Sequence, residues 1–262
     1  MIISSITWDV SPLIFSIGSI SVRWYGLLFA MSFAVGYFIM LGFFKKEKLP
    51  EALLDKLSMY MLIATVVGAR LGHVFFYEWP YYSQHPGEIL MVWKGGLASH
   101  GAAIGILTAL YFFARSNKRT YFWTLDRIVI VVALSGFFIR TGNLMNSEIY
   151  GKLTNLPWGF IFVKDGQSLP RHPTQIYEAL CYLAIFIFLL WYYYKKNGAP
   201  REGFIFGFFL ATLFSVRFLL EFLKEPQVNF ENSMALNMGQ LLSIPFVLAG
   251  LFIIFYKQKA RN

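Results

Sequence analysis

Seven apolar stretches constrain this chain more than any other feature; they lie at roughly 20–43, 55–77, 97–114, 122–140, 175–194, 203–223 and 239–256. Each approaches or exceeds the ~20 residues a helix needs to cross about 30 Å of hydrocarbon. A backbone in lipid has no water to bond with, so such runs form helices or a closed barrel. These runs are continuous rather than alternating at every second residue, which selects helices. Of the 262 residues, 57% are apolar and 14% charged, against about 25% charged in soluble domains. The same balance excludes disorder. The single Cys181 rules out an internal disulfide and a cysteine-rich metal site.

The basic residues set the orientation. Lys45, Lys46 and Lys48 follow the first stretch, and Arg115, Lys118 and Arg119 the third. Lys195, Lys196 and Arg201 follow the fifth, and Lys257, Lys259 and Arg261 the seventh. These connections share one side, the cytoplasmic one, so the N-terminus is outside and the C-terminus inside. Trp8, Trp79, Trp93 and Trp158 fall in or near the outer connections, as an aromatic belt would have them. The excess of 23 Lys+Arg over 14 Asp+Glu is thus accounted for by topology, and no nucleic-acid partner is expected. The first nineteen residues lack the pattern of a removable signal peptide. The expectation is an all-α integral membrane protein with seven transmembrane helices. It forms one domain over 1–262, including an extracytoplasmic connection at about 141–174. Connections of that length are functional or disordered.

Polar residues within the spans are costly and therefore informative. Counted at 1.5 Å per residue from the cytoplasmic ends, Arg70, His100, Glu178 and Arg217 lie roughly 21–25 Å up, and Tyr25 and Arg140 roughly 30 Å up. Six spans thus contribute to one layer, which points to a polar cavity in the outer leaflet. The alternative is that long side chains snorkel to the interface, which suits Arg23 and Arg140.

Several clusters stand out. Arg217 and Glu221 share a helical face at i,i+4 and are expected to pair. Arg70 and His73, at i,i+3, read as structural. GGLASHGAAIG at 95–105 offers a nearly smooth surface for a helix or a lipid, and His100 is its one titratable group. His100 is either a proton acceptor or a hydrogen-bonded structural residue. RTGNLMNSEIYG, from Arg140 to Gly151, brings together a cation, the amides of Asn143 and Asn146, and Glu148. Glu148 is expected to orient Arg140, and Gly142 to break the helix. The set suits an anionic head group or a polar turn. RHPTQIYE, Arg171 to Glu178, opens the fifth span, with Gln175 and Glu178 on one face.

RWYG (23–26), GGLASHGAAIG, RTGNLMNSEIYG, RHPTQIYE and RFLLEFLKEP (217–226) occur in one order. Together they resemble the bacterial prolipoprotein diacylglyceryl transferase family. The resemblance implies a multi-pass enzyme of the cytoplasmic (inner) membrane. Such an enzyme moves the diacylglyceryl group of phosphatidylglycerol to the lipobox cysteine of a prolipoprotein, forming a thioether and releasing glycerol 1-phosphate. Its partners are phosphatidylglycerol, the prolipoprotein signal peptide and membrane lipids; no cofactor and no metal are implied. The family's functional positions carry over to Tyr25, His100, Arg140, Asn143, Asn146, Glu148, Gly151, Arg217 and Glu221. The chain departs from the family pattern at Leu213, where a Tyr is frequent, and at Gln227, where an acidic residue is frequent. Tyr177 is a candidate to supply the missing hydroxyl.

Attack on a glyceryl carbon needs an in-line thiolate and charge neutralisation on the departing phosphate. A thiol near pKa 8.5 is only a few per cent ionised at neutral pH. The implied catalytic set is therefore His100 as proton acceptor or head-group orienter, Arg140 and Arg217 on the phosphate, Glu148 behind them and Tyr25 on the lipid head. Asn143, Asn146, Gly151 and Glu221 complete substrate binding, with Glu221 holding Arg217. Cys181 sits mid-helix among apolar residues, so the nucleophile is expected from the substrate. A lipid or small-anion transporter is the alternative, although its usual internal repeats are not apparent. An intramembrane protease is disfavoured because the adjacent Ser99 and His100 point about 100° apart on a helix.

Overall fold

The structure, a computed structural model, describes residues 5–18, 20–225 and 234–259. Gln227 lies outside the described residues. Strands β1 (Ile6–Trp8), β2 (Leu13–Ile17) and β3 (Ile20–Arg23) precede helix α1 (Trp24–Lys46). Then follow α2 (Glu51–Phe76), the one-turn α3 (Trp79–Tyr82), α4 (Ser99–Ser116) and α5 (Tyr121–Met145). Strand β4 (Phe160–Phe162) leads to α6 (Thr174–Lys195), α7 (Phe204–Glu221) and α8 (Met238–Lys259). Six of these helices, α1, α2, α5, α6, α7 and α8, are long and apolar enough to cross a membrane. The chain is therefore a multi-pass membrane protein. The long helices coincide with the apolar stretches to within a few residues, because burying every backbone polar group fixes the helical state.

Two small sheets depart from the all-helical expectation. β1 pairs in parallel with β4, and β2 pairs antiparallel with β3. Strands of three to five residues are too short to leave a legible alternation in sequence.

The chain divides into two compact units, Met1–Ile39 with Asp126–Asn262, and Met40–Leu125. In the first, α7 and α8 meet through small residues: a Cβ on Gly250 would lie 2.6 Å from the Gly207 oxygen and from Ala211 N. The start of α7 is capped from a distance. The Asp126 carboxylate accepts from Gly203 N at 2.7 Å and Phe206 N at 2.8 Å, satisfying main-chain donors that a helix start leaves open. Phe160 and Phe162 of the 146–173 connection form a small core with Leu144 of α5, and Trp8, Tyr150 and Ile176 pack on it. Trp8 Nε1 donates to the Leu144 carbonyl at 3.1 Å.

In the second unit, α2 and α4 pack backbone to backbone. A Cβ on Gly72 would meet Gly101 Cα at 2.6 Å, and one on Gly105 would meet the Ala64 oxygen at 2.7 Å. The smooth surface of 95–105 is thus taken by a neighbouring helix. Arg70, 3% exposed, organises the α2–α4 connection by donating to the carbonyls of Glu88, Ile89 and Gly95 at 2.6–2.8 Å. Its guanidinium also lies over the Tyr82 ring. That structural role matches the reading from sequence.

Candidate active site

The last turns of α5 aim Arg140 at α6. Its Nε lies 2.9 Å from Glu178 Oε2, and its Nη1 donates to Asn143 Oδ1 at 3.1 Å. Glu178 is fully buried, and its other oxygen accepts from Lys224 Nζ at 2.9 Å. Lys224, 4% exposed, also sits 3.4 Å from Glu221 Oε2. Charges thus alternate as Arg140, Glu178, Lys224, Glu221 and cancel in number. Each charge withdrawn from water costs several kcal/mol, which only such pairing offsets. Glu178 Oε2 receives no hydrogen bond although Arg140 Nε is within ion-pair distance, so charge rather than a directed N–H holds that contact.

A second chain of contacts runs from Asn143. Its Nδ2 donates to Glu148 Oε1 at 2.8 Å, and Asn146 Nδ2 approaches the same oxygen at 3.3 Å. Gln175 Nε2 donates to the Glu148 main-chain oxygen at 2.7 Å. Ser147 and Ile149, on either side of Glu148, have φ of 55° and 60°. A β-branched residue in that left-handed region is strained, and such strain persists only where neighbours impose it. Tyr25, in the first turn of α1, packs on Gly142, whose Cβ would fall 2.8 Å from the Tyr25 ring. Its hydroxyl is within electrostatic reach of Glu148 and Arg140.

Three expectations, two contacts and one helix break, are corrected by this geometry. The carboxylate on Arg140 is Glu178; Glu148 reaches Arg140 only through Asn143. Glu221 pairs with Lys224 and not with Arg217. Gly142 lies inside α5, which runs on to Met145, and serves close packing against Tyr25. Arg217, half-buried on α7, has no carboxylate within ion-pair distance among the described residues. It and Arg140 both act electrostatically on the Tyr182 hydroxyl. Tyr182, one turn beyond Glu178 on α6 and 5% exposed, is thus a buried phenol within electrostatic reach of both guanidinium groups. Tyr177 instead accepts from Trp158 Nε1 at 2.9 Å and lies 3.4 Å from His172 Nδ1.

The 146–173 connection is clamped to the end of α7. Gly151 N donates to the His172 carbonyl and Lys152 N to that of Leu223, each at 2.8 Å. A Cβ on Gly151 would lie 2.5 Å from the Leu223 oxygen, so that position admits no side chain. Arg171 pairs with Glu225 at 2.5 Å and covers the Tyr150 ring. Burial and a hydrogen bond to Asp165 push the Tyr150 phenol up to about 12. Burial also lowers the His172 pKa.

His100 belongs to the other unit. It is the second residue of α4 and exposed, with the rings of Phe76 and Tyr77 5.4 and 5.5 Å away. His73 stacks on Tyr77 and lies 3.5 Å from Glu78 Oε2.

Comparison with known proteins bears on this constellation. The family model described as prolipoprotein diacylglyceryl transferase matches residues 12–256. The chain belongs to the prolipoprotein diacylglyceryl transferase family. A phosphatidylglycerol–prolipoprotein diacylglyceryl transferase of Chloroherpeton thalassium is 49% identical over 98% of this chain and 96% of its own length. Proteins of the same name from Tolumonas auensis and Porphyromonas gingivalis are 47% and 44% identical. The first covers 97% of this chain and 99% of its own length, the second 95% and 93%.

Within a family member, four residues of this cluster escaped the sequence-derived site: Glu178, Gln175, Tyr182 and Lys224. Glu178 showed itself as a polar residue in the shared layer, and Gln175 as its face-mate. Lys224 had a signal too, standing three residues after Glu221. Tyr182 had none, since a tyrosine within an aromatic-rich apolar helix is unremarkable.

Proposed function

We propose that this chain transfers the diacylglyceryl group of phosphatidylglycerol to the lipobox cysteine thiol of a prolipoprotein, releasing glycerol 1-phosphate. Family membership and the names of its relatives support the activity. The observation that carries the chemistry is the pair of guanidinium groups, Arg140 and Arg217, both within electrostatic reach of one buried phenol. Nothing comparable favours a transporter.

In this reading the cysteine sulfur attacks the glyceryl carbon. The C–S bond forms as the C–O bond to phosphate breaks, and the phosphate oxygen leaves with the electron pair. Arg217, with no carboxylate within ion-pair distance among the described residues, is the principal phosphate ligand. Arg140, charge-paired with Glu178 and oriented by its hydrogen bond to Asn143, adds a second charge. Asn143 and Asn146, tied by Glu148, bind the head group, and Tyr25 bonds the lipid. His100 takes the thiol proton directly or through water, or orients the head group. Glu221 acts through Lys224, and Gly151 keeps the connection seated on α7.

The setting is the bacterial cytoplasmic membrane, with α4 as a seventh span and the N-terminus outside. The polar cluster opens to the outer leaflet, and the whole chain works as one catalytic domain. Positive residues after alternate spans support that orientation.

The test is purified protein in phosphatidylglycerol-containing nanodiscs with a lipobox peptide, read by mass spectrometry. Thioether-linked diacylglyceryl peptide and stoichiometric glycerol 1-phosphate are expected. Arg140→Ala and Arg217→Ala should each abolish product while the protein remains inserted. Lipid movement or peptide cleavage without thioether would refute the proposal.

A further inference from the structure

Among the described residues, three buried polar atoms around Glu148 have no hydrogen-bond partner: Gln175 Oε1, Asn146 Oδ1 and Ser147 Oγ. Gln175 is fully buried and Ser147 is 2% exposed. Buried polar groups in folded proteins are nearly always bonded, so each exception asks for a partner.

The chemistry fixes which end of each amide is left over. Gln175 faces the main-chain oxygen of Glu148, which only accepts, so its NH2 must point there. Asn146 faces the Glu148 carboxylate, again an acceptor, so its NH2 is committed as well. Both carbonyl oxygens are therefore turned away from Glu148. They need donors, and a phosphate group has none to give. Ser147 adds a hydroxyl in the same segment. The left-handed φ values of Ser147 and Ile149 hold this segment in a conformation that an ordinary polar turn would avoid.

The network beside this segment is charge-balanced, Arg140 and Lys224 being matched by Glu178 and Glu221, so it offers no net negative field to hold a cationic donor. That disfavours an ammonium head group and suits neutral hydroxyls. We infer that Gln175 Oε1 and Asn146 Oδ1 each accept a hydrogen bond from one hydroxyl of the glycerol head group, making Gln175 a specificity-determining residue for the lipid. This rests on the transferase reading above and adds to it the recognition of the part of the lipid that departs.

Thioether formation is measured with phosphatidylglycerol and with two analogues, phosphatidyl-1,2-propanediol and phosphatidyl-1,3-propanediol. Each lacks a different head-group hydroxyl. Wild type should lose about tenfold in kcat/KM with either analogue, the size of one buried hydrogen bond. Gln175→Leu should lower turnover of phosphatidylglycerol yet bring one analogue's ratio to about one. Asn146→Leu should do the same for the other analogue. A role limited to supporting the Glu148 main chain would slow all three lipids equally and leave the ratios at their wild-type values, overturning the inference. If a variant fails to fold, the wild-type ratios still decide, because equal rates on all three lipids would overturn it. No thioether from phosphatidylglycerol itself would overturn the transferase reading, a separate and recognisable failure.

Discussion

Glu178→Gln tests the buried charge network most directly. Glu178 stands between Arg140 Nε at 2.9 Å and Lys224 Nζ at 2.9 Å, fully shielded from solvent. Glutamine keeps the shape and can still accept from Lys224, but its NH2 then faces the Arg140 donors. The four-residue network of Arg140, Lys224, Glu178 and Glu221 goes from neutral to a net positive charge. Removing one partner of a buried pair costs about 3–5 kcal/mol. Arg140 keeps Asn143 and Lys224 keeps Glu221, so the lower end, about 3 kcal/mol, is expected. At about 2–4 °C per kcal/mol for a chain of this size, the thermal midpoint in detergent should fall by roughly 6–12 °C. Lys224→Met should also destabilise, by stranding Glu178 and Glu221. The double variant removes one charge of each sign and should recover about 1–3 kcal/mol of coupling. An unchanged midpoint for Glu178→Gln, with no coupling to Lys224, would refute the network.

Three further outcomes are expected. Gly101→Val should part α2 from α4, because even a Cβ there falls 2.6 Å from Gly72 Cα. A cost of about 1–3 kcal/mol should appear in the same thermal melts, with Gly95→Ala, where a Cβ meets nothing within 4 Å, separating steric cost from φ strain. Tyr150 is raised from 10.0 to about 12 in the folded state, so its protonated form is favoured by folding. The stabilising contribution of Tyr150 is fully present below pH 10 and fades as pH rises toward 12. The stability difference between wild type and Tyr150→Phe, followed across that range, should shrink; a constant difference would contradict the shift. His100→Gln should lose transfer activity and regain part of it at alkaline pH, where the substrate thiol ionises unaided. Unchanged turnover at neutral pH would remove His100 from proton transfer.

The spans were legible because hydrocarbon leaves a backbone no partner but itself. Long apolar runs such as 122–140 therefore declare their helices without tertiary information, and α5 at Tyr121–Met145 follows. The residues of the RTGNLMNSEIYG segment announced themselves by rarity, since polar groups in such a chain stay only where something holds them. Which carboxylate meets which cation was not legible. Arg217 and Glu221 satisfy the i,i+4 rule, yet Lys224 reaches Glu221 and Glu178 together because the chain turns after α7 and folds its side chain back between the helices. Glu148 is eight residues from Arg140 in sequence, while Glu178 is thirty-eight away and in direct contact. Helix packing decides such pairings, through close approaches at glycines and through the clamp between Gly151 and Leu223. Apolar length and solvent alone thus determine the long helices and the polar inventory, while the short strands β1 to β4 leave no local signal. Partners depend on distances between helices, which no single segment encodes.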